Sequence, residues 1–240
     1  MNLKDHLETA ISTARNAGDF LIKNKNESKK VLTDQGRDIK LELDRDCENL
    51  IRKELKFTDI SVLGEEFGEN SPEDTIKWVV DPIDGTANYF RGLDQCCVSI
   101  ALMDGIKAKI GVIYNFNTKE TFYASSGNGC YLNDKKITVS EIAEMSKATI
   151  FTGFPVSESI ESQSLFLNKL KGWKKIRMFG SAALSCAYVA SGRGDYYAEK
   201  GVYLWDFAAG ICLVEEAGGK AEFSLIDDDR YSVKFSNGKL

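Results

Sequence analysis

Trp78-Val79-Val80-Asp81-Pro82-Ile83-Asp84-Gly85-Thr86 carries an apolar run straight into two acids. Residues 76–80 read as a buried strand. Pro82 then fixes the direction of the chain, and Gly85 permits a tight turn before a helix over 86–90. The two carboxylates therefore emerge together, beside backbone amides at Gly85 and Thr86. Hard oxygen donors suit Mg²⁺, and free amides at a helix N-terminus suit an anion such as phosphate. The plainer reading is an Asp-Pro turn followed by an Asp cap, which many α/β proteins contain.

Three further places could add carboxylates to this pair. Leu63-Gly64-Glu65-Glu66 is a second strand that ends in acids. Trp205-Asp206 opens a helix over 206–217, where Asp206 could serve as an N-cap. Asp44 lies beside the apolar face of a helix over 42–55, and on its own reads as a surface acid.

The composition leaves room for carboxylate chemistry and for little else. The 240 residues hold one histidine, His6, in an N-terminal amphipathic helix among charged neighbours, where it reads as a surface residue. Triads and Cys-His pairs need a histidine beside the nucleophile, so they are excluded. The chain has no G-x-x-x-x-G-K-[ST] loop, no strand-linked G-x-G-x-x-G, no G-x-S-x-G elbow and no Cys-x5-Arg phosphatase loop. Cys47, Cys96, Cys97, Cys130, Cys186 and Cys212 lack any zinc spacing and read as buried free thiols. No apolar stretch spans a bilayer, and Lys4, Asp5, His6 and Glu8 interrupt any signal-peptide core, so the expected location is cytoplasmic. A formal net charge of −5 opposes sequence-independent nucleic-acid binding.

Leu3, Leu7, Ala10, Ile11, Ala14, Ala17 and Leu21 recur at helical spacing, which predicts the first helix. Buried strands at 60–63 and 76–80 precede a meander over 96–103, 105–115 and 121–124. After Val139 strands and helices alternate: strand 148–153, helix 157–171, strand 175–179, helix 181–191, strand 195–198, helix 206–217 and a closing strand at 220–224. These readings give an α+β layered fold in two halves, 1–143 and 144–240, with one site between them.

The segments in this order resemble the inositol monophosphatase family of Mg²⁺-dependent, lithium-sensitive phosphatases. The family's metal motif, W-[IV]-[IV]-D-P-[IL]-D-G-T-x-N, stands at 78–88 without a gap. Its C-terminal signature stands at Trp205-Asp206-Phe207-Ala208-Ala209-Gly210 and continues to Glu216-Ala217-Gly218-Gly219. Gly64-Glu65-Glu66, the turn Gly180-Ser181-Ala182-Ala183 and the stretch 127–140 fall between them. The resemblance implies a layered α-β-α-β-α sandwich of the sugar-phosphatase type. It also implies two or three Mg²⁺ ions held by Glu65, Asp81, Asp84, Asp206 and the carbonyl of Ile83. Thr86 and Asp44 would position the attacking water, with Glu65 also in the catalytic set. Asp84, Gly85 and Thr86 would hold the phosphate, and Gly180, Ser181, Ala182 and Glu199 would meet the alcohol part of the substrate. The family's usual state is a homodimer.

Two departures bear on the transfer. Asp38-Ile39-Lys40-Leu41-Glu42-Leu43-Asp44 stands where many members read D-x-V-T-x-x-D, and Tyr203-Leu204 replaces a histidine and a cysteine found before Trp205 in some animal members. Inositol 1-phosphate or a similar polyol phosphate is the expected substrate, because Glu199 suits hydroxyls whereas a second phosphate would want a cation. Fructose 1,6-bisphosphate, adenosine 3′,5′-bisphosphate, histidinol phosphate and NADP remain the alternatives within the family. Haloacid-dehalogenase-like phosphatases use D-x-D-G-T, one residue shorter than the acid spacing here. A regulatory role with transcription machinery would use Lys169, Lys171, Lys174, Lys175 and Arg177 around Trp173, which otherwise reads as a solvated helix end.

Overall fold

Along residues 76–84 and 97–104 successive side chains are buried to opposite sides, as continuous apolar runs demand when both faces of a sheet are covered. The computed structural model describes residues 2–25, 31–35, 38–71, 73–156 and 158–240, with backbone alone over 31–41. Its helices are α1 (Leu3–Lys23), α2 (Glu42–Leu55), α3 (Thr86–Arg91), α4 (Ile160–Lys169), α5 (Ala182–Ala190) and α6 (Leu204–Glu216). Strands β1 (Val31–Gln35) and β2 (Asp38–Leu41) pair as a separate hairpin.

The larger sheet has eight strands. They are β3 (Ser61–Gly64), β4 (Gly68–Glu69), β5 (Ile76–Asp84), β6 (Cys97–Asp104), β7 (Lys107–Asn115), β8 (Glu120–Ser125), β9 (Cys130–Leu132) and β10 (Lys135–Ile137), in the order β10-β9-β8-β7-β6-β5-β3-β4. From β5 to β10 it is an antiparallel meander, and β3 joins β5 in parallel. The second sheet has five strands: β11 (Thr149–Phe151), β12 (Lys175–Arg177), β13 (Tyr196–Val202), β14 (Lys220–Asp227) and β15 (Arg230–Ser236), in the order β12-β11-β13-β15-β14.

Alternation assigns each side chain to a layer. Trp78, Val80, Val98, Ile100, Leu102, Ile110 and Val112 face α1 and α2, where they meet Ala10, Ala14, Ala17, Leu21, Cys47, Ile51 and Leu55. Val79, Cys97, Ala101 and Ile113 face the other way, into a core shared with α5, α6 and Tyr197, Val233 and Phe235 of the second sheet. A helix pair thus fills the space between the two sheets. The step from β11 through α4 to β12 and the step from β12 through α5 to β13 run in opposite directions along the sheet. Right-handed crossovers therefore place α4 and α5 on opposite faces. With α5 inside, α4 forms the outermost layer, and the expected α-β-α-β-α sandwich results.

The structure adds elements that the sequence pattern did not reveal and trims others. The closing strand continues to Asp227 and turns back as β15, whose Val233 and Phe235 are buried. Helix α4 starts at Ile160, capped by the Ser159 side chain; Ser157, the expected start, lies outside the described residues. His6 is half-buried rather than superficial. Its ring stacks on Trp78 with centroids 6.1 Å apart, near the Ile76 end of β5 and away from the acids. All six cysteines are free and buried. No described helix is long and apolar enough to cross a membrane.

Gly111 on β7 lets α6 approach so closely that a Cβ there would overlap the carbonyl oxygen of Ala209. Gly111→Ala is expected to cost about 1–3 kcal/mol, since backbone cannot yield as a flexible side chain would. At roughly 2–4 °C per kcal/mol for a chain of this size, thermal unfolding should show a clear drop in Tm. An unchanged Tm would mean that α6 does not press on β7.

Candidate active site

Two residues three apart on a regular strand point to opposite faces. In β5, however, Asp81 pairs with Ser99 while Asp84 pairs with Cys97, so three steps on β5 match two on β6. The extra residue is a bulge at Pro82 and Ile83, where proline's missing N–H does no harm. It returns Asp84 to the face that already carries Val79 and Asp81, and turns Ile83 toward α1 and α2. Both carboxylates consequently face α6. There Asp206 completes a group in which one oxygen from each of Asp81, Asp84 and Asp206 lies within 4.8 Å of the others.

Glu65 approaches this group by register, although it is not one of the three whose oxygens meet within 4.8 Å, and its charge acts on Asp81. Gly64 on β3 is opposite Val80 on β5, so the next residue of each chain brings Glu65 beside Asp81. Asp206 is not an N-cap. Tyr203 occupies that position, Asp206 sits in the first turn of α6, and its Oδ2 accepts the Tyr203 N–H at 2.8 Å.

Asp84 is buried at the N-terminus of α5. Its carboxylate accepts the amides of Ala182 (3.2 Å) and Ala183 (3.0 Å) and the hydroxyl of Ser181, and the Cys97 thiol lies 3.6 Å away. By accepting these bonds the carboxylate satisfies orphan amides of a helix start, and the donors favour the ionised acid. Burial nevertheless raises Asp84 above the ordinary carboxylate range, with the Ser181 and backbone hydrogen bonds working against it. Asp81 is raised further, by burial first and then by the charges of Glu65, Asp84 and Asp206. Asp206 is likewise raised, by burial and then by Asp84.

Acids gathered this way resist ionising together unless positive charge joins them. Their donor set is entirely oxygen, two of the three clustered carboxylates are buried, and the described neighbours supply no cation among the causes that act on them. That chemistry fits a hard divalent cation such as Mg²⁺.

Around the cluster, Thr86 Oγ1 is 2.9 Å from the Ile83 carbonyl and 3.4 Å from Asp44 Oδ1, and Asp44 is buried, not superficial. Gly85 has φ +86°, and a Cβ on it would come within 2.7 Å of the Gln95 carbonyl, so only glycine fits this turn. Glu199 accepts the Tyr197 hydroxyl at 3.1 Å and adds its charge to those acting on Asp206. Gly180 is exposed, whereas Ser181 and Ala182 are buried and turned toward Asp84. The side chain of Asp38 lies outside the described residues.

Sequence reasoning gave Asn88 and Glu48 no role. Asn88 Nδ2 donates to the carbonyls of Gln95 (2.7 Å) and Phe179 (2.6 Å), tying α3 to the turn before α5. Its place in the D-G-T-x-N run was the available signal. Glu48 is fully buried against the Glu65 loop, and only its helical spacing from Asp44 hinted at that.

Residues 2–222 match the family described as the inositol monophosphatase family. The chain is 40% identical to Nus factor SuhB of Xylella fastidiosa over 90% of its length and 81% of the relative's. It is 34% identical to the fructose-1,6-bisphosphatase/inositol-1-monophosphatase of Thermotoga maritima over 98% of its length and 93% of the relative's. The solved inositol monophosphatase of Anabaena superposes with a TM-score of 0.86 at 31% identity, covering 100% of this chain and 93% of that one. The SuhB structure from Bartonella henselae gives 0.85 at 32%, covering 95% and 93%. A match that spans nearly the whole sequence, with the same fold beneath it, makes this chain a member of the inositol monophosphatase family.

Proposed function

We propose that the chain hydrolyses small phosphate monoesters, with inositol 1-phosphate or a similar polyol phosphate as substrate, in a Mg²⁺-dependent reaction. The observation that carries this is the convergence of Asp81, Asp84 and Asp206, from the two strand positions that flank the bulge and from one helix, within 4.8 Å. Glu65, Asp81, Asp84, Asp206 and the Ile83 carbonyl would hold two or three ions. When bound, Mg²⁺ supplies charge for the phosphoryl oxygens and lowers the pKa of water.

The chain's own groups do the rest. Thr86 Oγ1 and Asp44, 3.4 Å apart, hold and orient a water against the phosphorus, and Asp44 or Glu65 accepts its proton. The new bond would form from that water oxygen to phosphorus as the ester P–O bond breaks; the leaving alkoxide takes a proton from solvent, and Asp44 or Glu65 returns its own proton to solvent. Gly85 and Thr86 would steady the phosphate oxygens. Glu199, already holding one hydroxyl, and exposed Gly180 would face the alcohol, while Ser181 and Ala182 act on that side through Asp84. The reading includes a cytoplasmic homodimer: six free thiols suit a reducing compartment, and exposed Ile160, Leu165 and Leu167 on α4 offer a face for a partner.

The names of several relatives support a second reading. Those called Nus factor SuhB suggest an association with transcription, and Lys169, Lys171, Lys174, Lys175 and Arg177 are all exposed around Trp173. A salt-dependent RNA or polymerase pull-down that is lost in Lys174→Glu is the expected result of that reading, and binding indifferent to the substitution would end it.

For the enzyme, released phosphate should be measured over polyol, sugar and nucleotide monoesters and bisphosphates, fructose 1,6-bisphosphate included. Activity should require Mg²⁺, fall with millimolar-range Li⁺, and drop more than ~100-fold in Asp84→Asn, beyond the loss typical of residues that only orient a metal ligand. Turnover without divalent metal, or undiminished in the variant, would sink the mechanism.

Stability supplies an independent check. Because Asp81 and Asp206 are raised in the fold, the metal-free folded state keeps protons that the unfolded chain has released. Stability is lost as pH rises from the ordinary aspartate value, about 3.9, through the raised folded values. Asp81→Asn removes one share of that loss, so its metal-free Tm should gain on the wild type as pH rises toward neutrality. Added Mg²⁺ should raise the wild-type Tm and leave the variant's nearly unmoved; parallel Tm curves for the two proteins would contradict the assignment.

A further inference from the structure

Glu65 sits at the tip of the β3–β4 hairpin, where Gly64 pairs with Gly68. A tight loop of this kind does not by itself hold a carboxylate at a fixed point above a neighbouring strand. The restraint comes from α2. Glu48 Oε2 accepts the Glu66 N–H at 2.7 Å, immediately after Glu65. Immediately before it, Gly64 has no Cβ, and one there would overlap the Glu48 carboxylate. The backbone is therefore gripped on both sides of Glu65 by a single fully buried side chain.

Glu48 is itself held. Arg52, one turn further along α2, donates Nε to Glu48 Oε1 at 2.7 Å. Its two other nitrogens reach across the hairpin, Nη1 to the Val62 carbonyl (3.2 Å) and Asn70 Oδ1 (2.8 Å), Nη2 to the Gly68 carbonyl (2.6 Å). The guanidinium spans both strands as only a planar fork can, and the Phe67 ring lies 5.8 Å from it on one side. Four residues before Glu48 on the same helical stripe stands Asp44, which faces Thr86. Helix α2 thus sets both the water-side pair and the Glu65 loop.

We propose that Glu48, locked by Arg52, is a positioning residue that places Glu65 on the acidic cluster and thereby sets its affinity for the divalent cation. The inference rests on the metal-dependent reading above. It makes no use of Glu48 as a ligand: one of its oxygens faces Arg52 and the other the Glu66 amide, on the side of the loop that carries Glu65.

The test is calorimetric titration of Mn²⁺ and Mg²⁺ into the metal-free wild type, Glu48→Gln and Arg52→Lys, with amide hydrogen exchange at Glu66. Glu48→Gln turns one accepting oxygen into a donor facing Arg52, and Arg52→Lys keeps the charge but cannot span the hairpin. Residues that orient metal ligands typically contribute 10–100-fold in affinity, so both variants should bind the ions about 10-fold or more weakly. Their kcat should recover toward the wild-type value as metal is raised, with KM for substrate little changed. A variant that folds and binds Mn²⁺ with wild-type affinity overturns the inference, because a merely structural pair would alter Tm and leave metal affinity alone. In the wild type, the Glu66 amide should be protected even without metal; if it exchanges like an exposed loop amide, the grip does not exist, whether or not the variants fold. A wild type that binds no divalent cation refutes the metal-dependent reading itself, whereas equal binding by wild type and variants refutes only the role of Glu48.

Discussion

A β-strand alternates its side chains, so a pair of acids separated by two residues cannot share a face unless the strand contains an irregularity. Everything at this site follows from how β5 meets that constraint. The bulge at Pro82 and Ile83 shifts the parity by one, and Asp84 comes round to the side of Asp81 and α6. Without it Asp84 would enter the apolar layer beneath α1 and α2, where Ile83 now lies. The extra residue that separates this spacing from a D-x-D motif is therefore the structural element that builds the cluster.

Much of this was legible in the sequence. The apolar run at 76–80 ended in acids as read, α2 occupies the expected 42–55, and Asp81, Asp84 and Asp206 do come together. What could not be read was direction. Nothing in the letters D-P-I-D says that the strand bulges, or that the hydroxyl of Ser181 turns inward to Asp84 and not outward. Strand β15 lies beyond the closing strand expected at 220–224: a run of three acids, Asp227 to Asp229, interrupts the apolar pattern, although Tyr231, Val233 and Phe235 alternate as a strand should. Glu48 was invisible for another reason: a buried glutamate in a helix looks like any charged residue until the loop it holds is in place.

The cluster itself works against local stability. Burial and mutual repulsion push Asp81 and Asp206 away from the charged form that a metal ligand needs. The surrounding fold offsets the cost through the layers that press on α6 and through the amides of α5 that receive Asp84. Consistency of sequence and structure elsewhere makes such a locally unfavourable cluster tolerable.

The bond between Ser181 and Asp84 joins residues 97 positions apart, from one sheet to the helix that enters the other. In a chain made from its N-terminus, Asp81 and Asp84 are synthesised long before either α5 or Asp206 exists. The meander of β5 to β10 can form from near neighbours, but its acidic face stays open to water until the C-terminal third is complete. The proposed ion site is thus incomplete until residue 206 has been made, and a nascent or truncated chain carries the most recognisable motif of the sequence without the carboxylate of Asp206 that joins it.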